Sequence, residues 1–147
     1  MQRAKGFTLI EMLIVVVIAA ILLRIAIPQY FTYIQRGNVV AGTQALTQYR
    51  VQMEQYYQDN HFYTTTAATA VCGVALPVVP NFVITCAGDT GAGDTTGQTY
   101  TATATAAAGS NIAGAIYTID QNNNQQTVGI PAAWGTLSGT ASSWIVK

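Results

Sequence analysis

The chain has 147 residues, the length of one ordinary domain, and 50% of them are hydrophobic whereas only 8% are charged. Typical soluble domains carry about 25% charged residues. A chain that lies wholly in water is therefore excluded. The six basic and six acidic side chains leave no formal net charge.

The first predicted element is an apolar run from Phe7 to Ile27, whose only charges are Glu11 and Arg24. As a helix this run rises about 30 Å, which is the thickness of the hydrocarbon core of a bilayer. The sequence therefore predicts one membrane-spanning helix.

Basic residues set the expected orientation of this helix. Arg3 and Lys5 precede the run, and basic residues beside a span favour the cytoplasmic side, so everything after Pro28 is expected outside the cytoplasm. A cleaved secretory signal is the alternative, but its small-residue cleavage site should follow the apolar run. The segment that follows, "RIAIPQYFTYIQRG", contains no A-x-A pattern.

Glu11 is an unusual residue for such a run. An acid at the centre of a membrane helix costs roughly 2.5–3.5 kcal/mol on insertion scales, and intramembrane acids are usually functional. The alternative is that Glu11 lies near one end of the span and its carboxylate reaches headgroup water. Position alone leaves both interpretations open.

The helix is expected to continue beyond the membrane. No proline occurs between Gln29 and Asn60, and a helical spacing of apolar or small residues predicts one buried face, at Val39, Gly42, Leu46, Tyr49, Met53 and Tyr56. Pro28 lies inside the pattern, where it cannot donate to the Arg24 carbonyl oxygen, so a kink or a loosened turn is expected there. A helix from Phe7 to Asn60 would be about 80 Å long.

After Asn60 short runs with period-two alternation predict strands, in "NFVITCA" from Asn81, "TYTATATA" from Thr99, "AIYTID" from Ala115 and "SSWIVK" from Ser142. "DQNNNQQ" from Asp120 reads as the turn of a hairpin between "AIYTID" and "TVGI". The apolar sheet face is expected to pack on the helix face from Leu46 to Tyr56, through Phe82, Ile84, Tyr100, Tyr117 and Ile119.

Cys72 and Cys86 are the two cysteines of the chain, and both belong to the segment expected outside the cytoplasm, where disulfides persist. A disulfide between them would contribute about 3 kcal/mol for a loop of roughly 15 residues. A metal site is the alternative, but it would need a second ligand pair, and His61 is the one histidine.

Three stretches imitate catalytic or metal sites without matching them. "DTGAGDT", Asp89–Thr95, resembles the active-site turn of aspartic proteases but lacks flanking apolar strands. "DQNNN" imitates a calcium loop, but Gln125 takes its glycine position and Pro131 its glutamate position. His61 has no serine or cysteine nearby that suggests a nucleophile. The sequence therefore predicts no enzyme, metal or cofactor.

The N-terminal residues resemble the class III signal and N-terminal helix of type IV pilins. The resemblance rests on "KGFTLIEMLIVVVIAAILL", with Gly6 before Phe7, Glu11 four residues further on, and Pro28 after the run. It implies cleavage after Gly6 by a prepilin peptidase, methylation of the Phe7 amine and packing of the helices into a filament core. Glu11 would pair with the Phe7 amine of a neighbouring subunit, since each charge buried alone is costly.

A further resemblance covers "MEQYYQDNHFYT" and "YTIDQNNNQ", which are similar to minor pilins that include the DNA-uptake receptor group. That group carries more cysteines and a basic face. Loss of Arg3 and Lys5 would lower the six basic side chains to four against six acidic ones, a balance of −2. Because non-specific DNA binding depends on Lys and Arg, weak DNA binding at most is expected. Stacking on exposed tyrosines is the remaining route.

These features predict an α+β protein of the lollipop shape of pilins, in which a long N-terminal helix packs by its outer half on a small antiparallel sheet. Residues 1–6 would be a cleaved leader, 7–28 the half that spans the membrane or forms the filament core, and 29–147 an extracytoplasmic head.

The expected function is a structural subunit of a type IV pilus that serves adhesion, twitching motility or DNA uptake. Its expected partners are other pilin subunits, prepilin peptidase and the pilus assembly machinery of the bacterial inner membrane, where the chain would reside before it enters the extracellular pilus. The alternatives are a DNA-receptor minor pilin and a type II secretion pseudopilin. Against the pseudopilin, the chain lacks that family's "YPT" run and calcium-loop acids.

Intact-mass measurement of the mature protein should show loss of residues 1–6 and one added methyl group on Phe7. The expectation rests on the "KG" and "FTLIE" sequences that flank the junction. A mature N-terminus beyond Pro28 would instead show ordinary signal-peptidase processing.

Overall fold

The computed structural model describes residues 7–65, 70–88 and 97–147. Helix α1 runs from Leu9 to Asn60 and includes Pro28, which confirms the long N-terminal helix. The helix ends because His61 adopts a left-handed φ of 65°, and its N–H donates to the Tyr57 carbonyl oxygen at 2.7 Å. This geometry closes a helix C-terminus by satisfying one of its last carbonyl groups.

Two compact units divide the chain, one up to Ile34 and one from Gln35 to Lys147. In the first unit every side chain from Phe7 to Phe31 is exposed. In the second, called the head unit below, the rest of α1 shares one hydrophobic core with a β-sheet.

The described residues of the head unit form a sheet of four antiparallel strands in sequence order. The strands are β1 Phe82–Gly88, β2 Tyr100–Ala106, β3 Ile116–Asp120 and β4 Gln125–Gly129. Period-two alternation sets their register, since a slip of one residue would expose the apolar side chains. On the buried face Ile84 is opposite Ala104, which is opposite Tyr117. On the other face Thr85, Thr103 and Thr118 are aligned in the same way.

The predicted packing of helix on sheet is confirmed. One core cluster joins the α1 face to the sheet, through Val39, Leu46, Tyr49, Met53, Phe82, Ile84, Tyr100, Tyr117 and Ile119. Gly42 permits the close approach, because a Cβ there would come within 2.5 Å of the Phe82 ring. Tyr56 differs from the prediction, since it is half-buried and donates its hydroxyl to the Thr64 carbonyl oxygen at 3.3 Å.

Two core tyrosines keep their hydroxyl groups paired with backbone carbonyl oxygens. Tyr49 donates to Val74 at 3.1 Å and Tyr117 donates to Ile145 at 2.9 Å. Burial raises the pKa of both phenols to about 12, because an ionised phenol is poorly solvated in the core. Both therefore remain neutral donors at physiological pH.

The C-terminal segment "SSWIVK", predicted as a strand from Ser142, is not one. The fourth strand is β4, and Ala141 makes only an isolated bridge to its Thr127. Beyond the bridge the Thr127 hydroxyl donates to the Ser143 carbonyl oxygen at 2.8 Å and accepts the Ile145 N–H at 2.9 Å. A side chain thus replaces the backbone ladder, and the edge of β4 is covered without a fifth strand.

The predicted hairpin between β3 and β4 is confirmed, and Asp120 organises its turn. One carboxylate oxygen, Oδ1, accepts the N–H groups of Asn122 and Asn124 at 2.9 and 2.8 Å. The other, Oδ2, accepts the Asn124 amide at 2.7 Å. Asn123 has φ 61°, a left-handed conformation that asparagine tolerates in turns. Two backbone N–H groups and one side-chain amide of the turn therefore bind this carboxylate.

Asp120→Ala should lower the free energy of unfolding by about 1–2 kcal/mol, since the turn loses acceptors that are charged. The measurement is urea unfolding of the purified protein, followed by the fluorescence of Trp134 and Trp144. Asn122→Ala is the matched control, because that side chain is exposed and only its backbone N–H bonds to Asp120. Equal effects of the two substitutions would contradict this role for the carboxylate.

Candidate assembly segment and head surface

Helix α1 begins with a local cap that involves Glu11. The Glu11 N–H donates to Thr8 Oγ1 at 3.2 Å, so the Thr8 hydroxyl satisfies one of the free donors of the first turn. The sequence "TLIE" has the S/T-x-x-E spacing of a capping box, a signal that the sequence predictions above missed. The carboxylate also lies in the first turn, where the helix dipole favours negative charge.

The rest of the first unit presents apolar side chains to the outside. Phe7 is 76% exposed and Leu9 is 83% exposed, and α1 is long and apolar enough to cross a membrane. Exposed apolar surface of this extent marks contact with lipid or with other proteins. The unit, called the assembly segment below (residues 7–34), therefore lacks part of its packing environment in the single chain.

Pro28 and Thr32 weaken the helical hydrogen bonding at one place in this segment. Pro28 lies inside α1 and has no N–H to donate. The Thr32 hydroxyl donates to the Pro28 carbonyl oxygen at 3.1 Å, a back-bonding geometry that often bends helices. The helix is unbroken at this point, and the kink remains a prediction.

Polar side chains in the first turn of α1 within the head unit bind two distant segments, at Asn111 and at Trp134. Gln35 donates to the Asn111 carbonyl oxygen at 2.8 Å and accepts the Trp134 indole N–H at 3.2 Å. Asn38 donates to Asn111 Oδ1 at 2.9 Å. Trp134 ends a short 3₁₀ helix that spans Ala132–Trp134. Sequence reasoning missed these contacts, since amides on a helix carry no periodic signal.

Cys72 and Cys86 form a disulfide, with Cα atoms 6.0 Å apart. Cys86 lies in β1, and the residues on either side of Cys72 form further contacts. Val71 bridges Ala87, and Gly73 lies against the Tyr56 ring, where a Cβ would clash. The covalent bond therefore secures a segment that also extends the sheet beyond β1.

The head unit has few basic side chains. Of the three, Lys147 donates to the Trp134 carbonyl oxygen at 3.3 Å and Arg50 is half-buried, with its Nε inaccessible to solvent. Arg36 is exposed. Such a surface offers little positive charge to a polyanion.

Glu54 and Tyr63 form a half-buried polar contact near Arg50. The Tyr63 hydroxyl lies 3.2 Å from one carboxylate oxygen of Glu54. Burial, followed by the nearby carboxylate, raises the pKa of Tyr63 to about 12. The Tyr63 ring also stacks on Tyr57, with centroids 4.6 Å apart, so these aromatic rings are engaged with each other.

The sequence-predicted sites fall in different places. Phe7 precedes α1 and Glu11 lies in its first turn, whereas Gly6 lies outside the described residues. The protease-like turn Asp89–Thr95 also lies outside them. His61 has the structural role of ending α1. In residues 7–65, 70–88 and 97–147, no group of three His, Cys, Asp or Glu side chains is placed to hold a metal ion.

A long apolar N-terminal helix that packs on a four-stranded antiparallel sheet is the α+β fold of pilins. Two family matches agree with this class. Residues 28–127 match the family described as type IV minor pilin ComP, DNA uptake sequence receptor, and residues 1–26 match the prokaryotic N-terminal methylation motif. The chain therefore belongs to the type IV pilin family.

The chain is similar in sequence to proteins that are named as pilus or fimbrial subunits. The chain is 30% identical to a fimbrial protein of Pseudomonas aeruginosa over 91% of its own length and 92% of that protein. It is 41% identical to the type IV wide pilus major component PilA4 of Thermus thermophilus over 48% of its length, and 34% identical to the fimbrial protein EcpC of Eikenella corrodens over 61%. These two matches span only 54% and 60% of those relatives. No solved structure matches the chain.

Proposed function

We propose that the chain is a structural subunit of a type IV pilus, cleaved after Gly6, N-methylated at Phe7 and polymerised through its assembly segment. The observation that carries the proposal is the exposure of every side chain from Phe7 to Phe31. The methylation motif matched over residues 1–26 includes the start of this segment. Polymerisation would bury this apolar surface against the same surface of other subunits. Once the segment has left the lipid, this burial keeps it out of water, which stabilises by about 25 cal/mol per Å².

Before assembly, residues 7–28 would span the inner membrane once, with the head of residues 29–147 outside the cytoplasm. The Cys72–Cys86 disulfide supports this side, since disulfides persist outside the cytoplasm. Prepilin peptidase would remove residues 1–6, and the assembly machinery would move the subunit into an extracellular filament. The pilus and fimbrial names of the relatives favour a pilus over a secretion pseudopilin.

Glu11 would have two separate tasks in this process. Its backbone N–H is capped by Thr8, which starts the helix. Its carboxylate would neutralise the Phe7 amine of the neighbouring subunit. Within one subunit Phe7 and Glu11 are four residues apart in the sequence. The pair is tolerated in an apolar bundle where either charge alone is not, and it would set the stagger between adjacent helices.

Substitutions separate these two tasks. Glu11→Val should leave membrane insertion and cleavage intact but strongly reduce incorporation into filaments, because loss of one partner of a buried pair costs roughly 3–5 kcal/mol. Glu11→Gln keeps a side chain suited to the capping box and should fail equally. Thr8→Ala loses the cap, at about 1 kcal/mol, but keeps the carboxylate and should assemble. The measurement is the amount of processed subunit in sheared filaments and in the inner membrane.

Two results would contradict the pairing. Normal amounts of Glu11→Val subunit in filaments would show that the carboxylate only reaches headgroup water. Assembly of Glu11→Gln together with failure of Thr8→Ala would show that helix capping, rather than charge, is the requirement.

A DNA-receptor minor pilin is the second candidate function. It is favoured by the match of residues 28–127 to a family described as a DNA uptake sequence receptor. The charges oppose it, because the sequence after Pro28 has five acidic side chains and only three basic ones, Arg36, Arg50 and Lys147. Any binding would have to rely on stacking and uncharged hydrogen bonds rather than on phosphate neutralisation.

Gel-shift assays with duplex DNA should show binding weaker than about 10⁻⁴ M at physiological salt for the fragment from Gln29 onward. Arg36→Ala is the informative variant, since Arg36 is exposed whereas the other exposed base, Lys147, donates to the Trp134 carbonyl oxygen. Micromolar binding of the parent fragment that weakens in Arg36→Ala would contradict the expected weak binding and favour the receptor function. A panel of unrelated duplexes would then test for sequence preference.

A further inference from the structure

Three exposed aromatic residues follow the apolar run of the assembly segment, and the proposed polymerisation does not account for their chemistry. Tyr30, Phe31 and Tyr33 are 63%, 57% and 75% exposed. The Tyr30 and Phe31 rings meet edge to face with centroids 6.3 Å apart. With about 100° between successive helical residues, these three side chains cover about 160° of the helix circumference. They are called the aromatic collar below.

The axial position of the collar matches one layer of a bilayer. The run from Phe7 to Ile27 fills a hydrocarbon core of about 30 Å, and headgroup regions extend the bilayer to about 40–45 Å. Tyr30 and Tyr33 lie three and six residues beyond Ile27, which is about 4.5–9 Å further along a helix axis. The rings are therefore placed at the depth of the outer headgroups.

The residues on either side of the collar change from apolar to polar along the helix, as they would from the hydrocarbon core of a bilayer to water. Before the collar, Arg24 lies within the apolar run but only three residues from its end, so its aliphatic stem can stay in hydrocarbon while the guanidinium reaches the phosphates. After the collar, Gln35 and Asn38 are bonded to Asn111 in the head unit. Apolar, aromatic and polar side chains thus follow one another outward along the helix.

We propose that the aromatic collar binds the outer headgroup layer of a phospholipid bilayer and sets the depth of the unassembled subunit. Tyrosine suits this layer because its ring is apolar and its hydroxyl is polar, and such rings are enriched at membrane interfaces. The inference rests on the proposed membrane stage. The collar holds the end of the apolar run at the hydrocarbon boundary, so that the head unit starts in water.

The experiment measures depth directly in the full chain, inserted in vesicles of phosphatidylethanolamine and phosphatidylglycerol. Fluorotyrosine is placed at Tyr30 or Tyr33, with Tyr57 as the head control, and a fluorinated phenylalanine replaces Val17 as the mid-run control. Fluorine NMR then records broadening by lipids that carry a spin label at the headgroup or at the chain end.

The collar probes should be broadened several-fold more by the headgroup label than by the chain-end label. The Val17 probe should show the reverse, and the Tyr57 probe should respond to neither. Collar probes broadened by neither lipid label, with Val17 still broadened by the chain-end label, would overturn the collar and leave the membrane stage standing. If neither the collar probes nor the Val17 probe responds to the lipid labels, both the collar and the membrane stage are overturned.

Substitutions test whether the collar sets the depth. In the double variant Tyr30→Ser and Tyr33→Ser, the Val17 probe should change its response to the chain-end label, because the helix can slide along the membrane normal. The matched variant Tyr30→Trp and Tyr33→Trp should keep the parent response, since tryptophan favours the same layer. An unchanged Val17 response in the serine variant would overturn the depth-setting role.

Discussion

The head unit depends on one packing interaction, between the apolar face of α1 and the buried face of the sheet. Burial of a side chain such as Leu46 or Met53 contributes about 1.5–3 kcal/mol, whereas a hydrogen bond such as that from Gln35 contributes about 1 kcal/mol net. The apolar contacts therefore supply most of the stability. The side-chain hydrogen bonds of Gln35 and Asn38 make the packing specific, because they bind one end of the helix face to the Asn111 loop.

The same helix continues into a segment whose side chains have no comparable partners in the single chain. One half of the helix is packed within its own chain, and the other half is apolar and exposed. This division suits a chain that lies first in lipid and then among neighbouring subunits. The role proposed for Glu11 agrees with both stages. Near the end of a span the carboxylate would be tolerated, and within an apolar bundle it would need a cationic partner.

Three charged groups of the head unit form hydrogen bonds within the fold. Asp120 holds the β3–β4 turn through three hydrogen bonds, Glu54 accepts from Tyr63, and Lys147 donates to the Trp134 carbonyl oxygen. With three basic and five acidic side chains in all, the head surface has little long-range attraction for ionic partners. Its contacts in a filament would rest on shape, apolar area and uncharged hydrogen bonds.

The sequence by itself determined the elements with a local or periodic cause: the apolar span, the helix face from Val39 to Met53, strands β1 to β3 and the Asp120 turn. The disulfide was also predictable, since the chain has two cysteines. Only the tertiary structure decided the contact of Gln35 with Trp134, 99 residues away, and the replacement of the expected C-terminal strand by bonds to the Thr127 side chain. Such contacts depend on which segments the core brings together, and neither periodicity nor local turn chemistry encodes that.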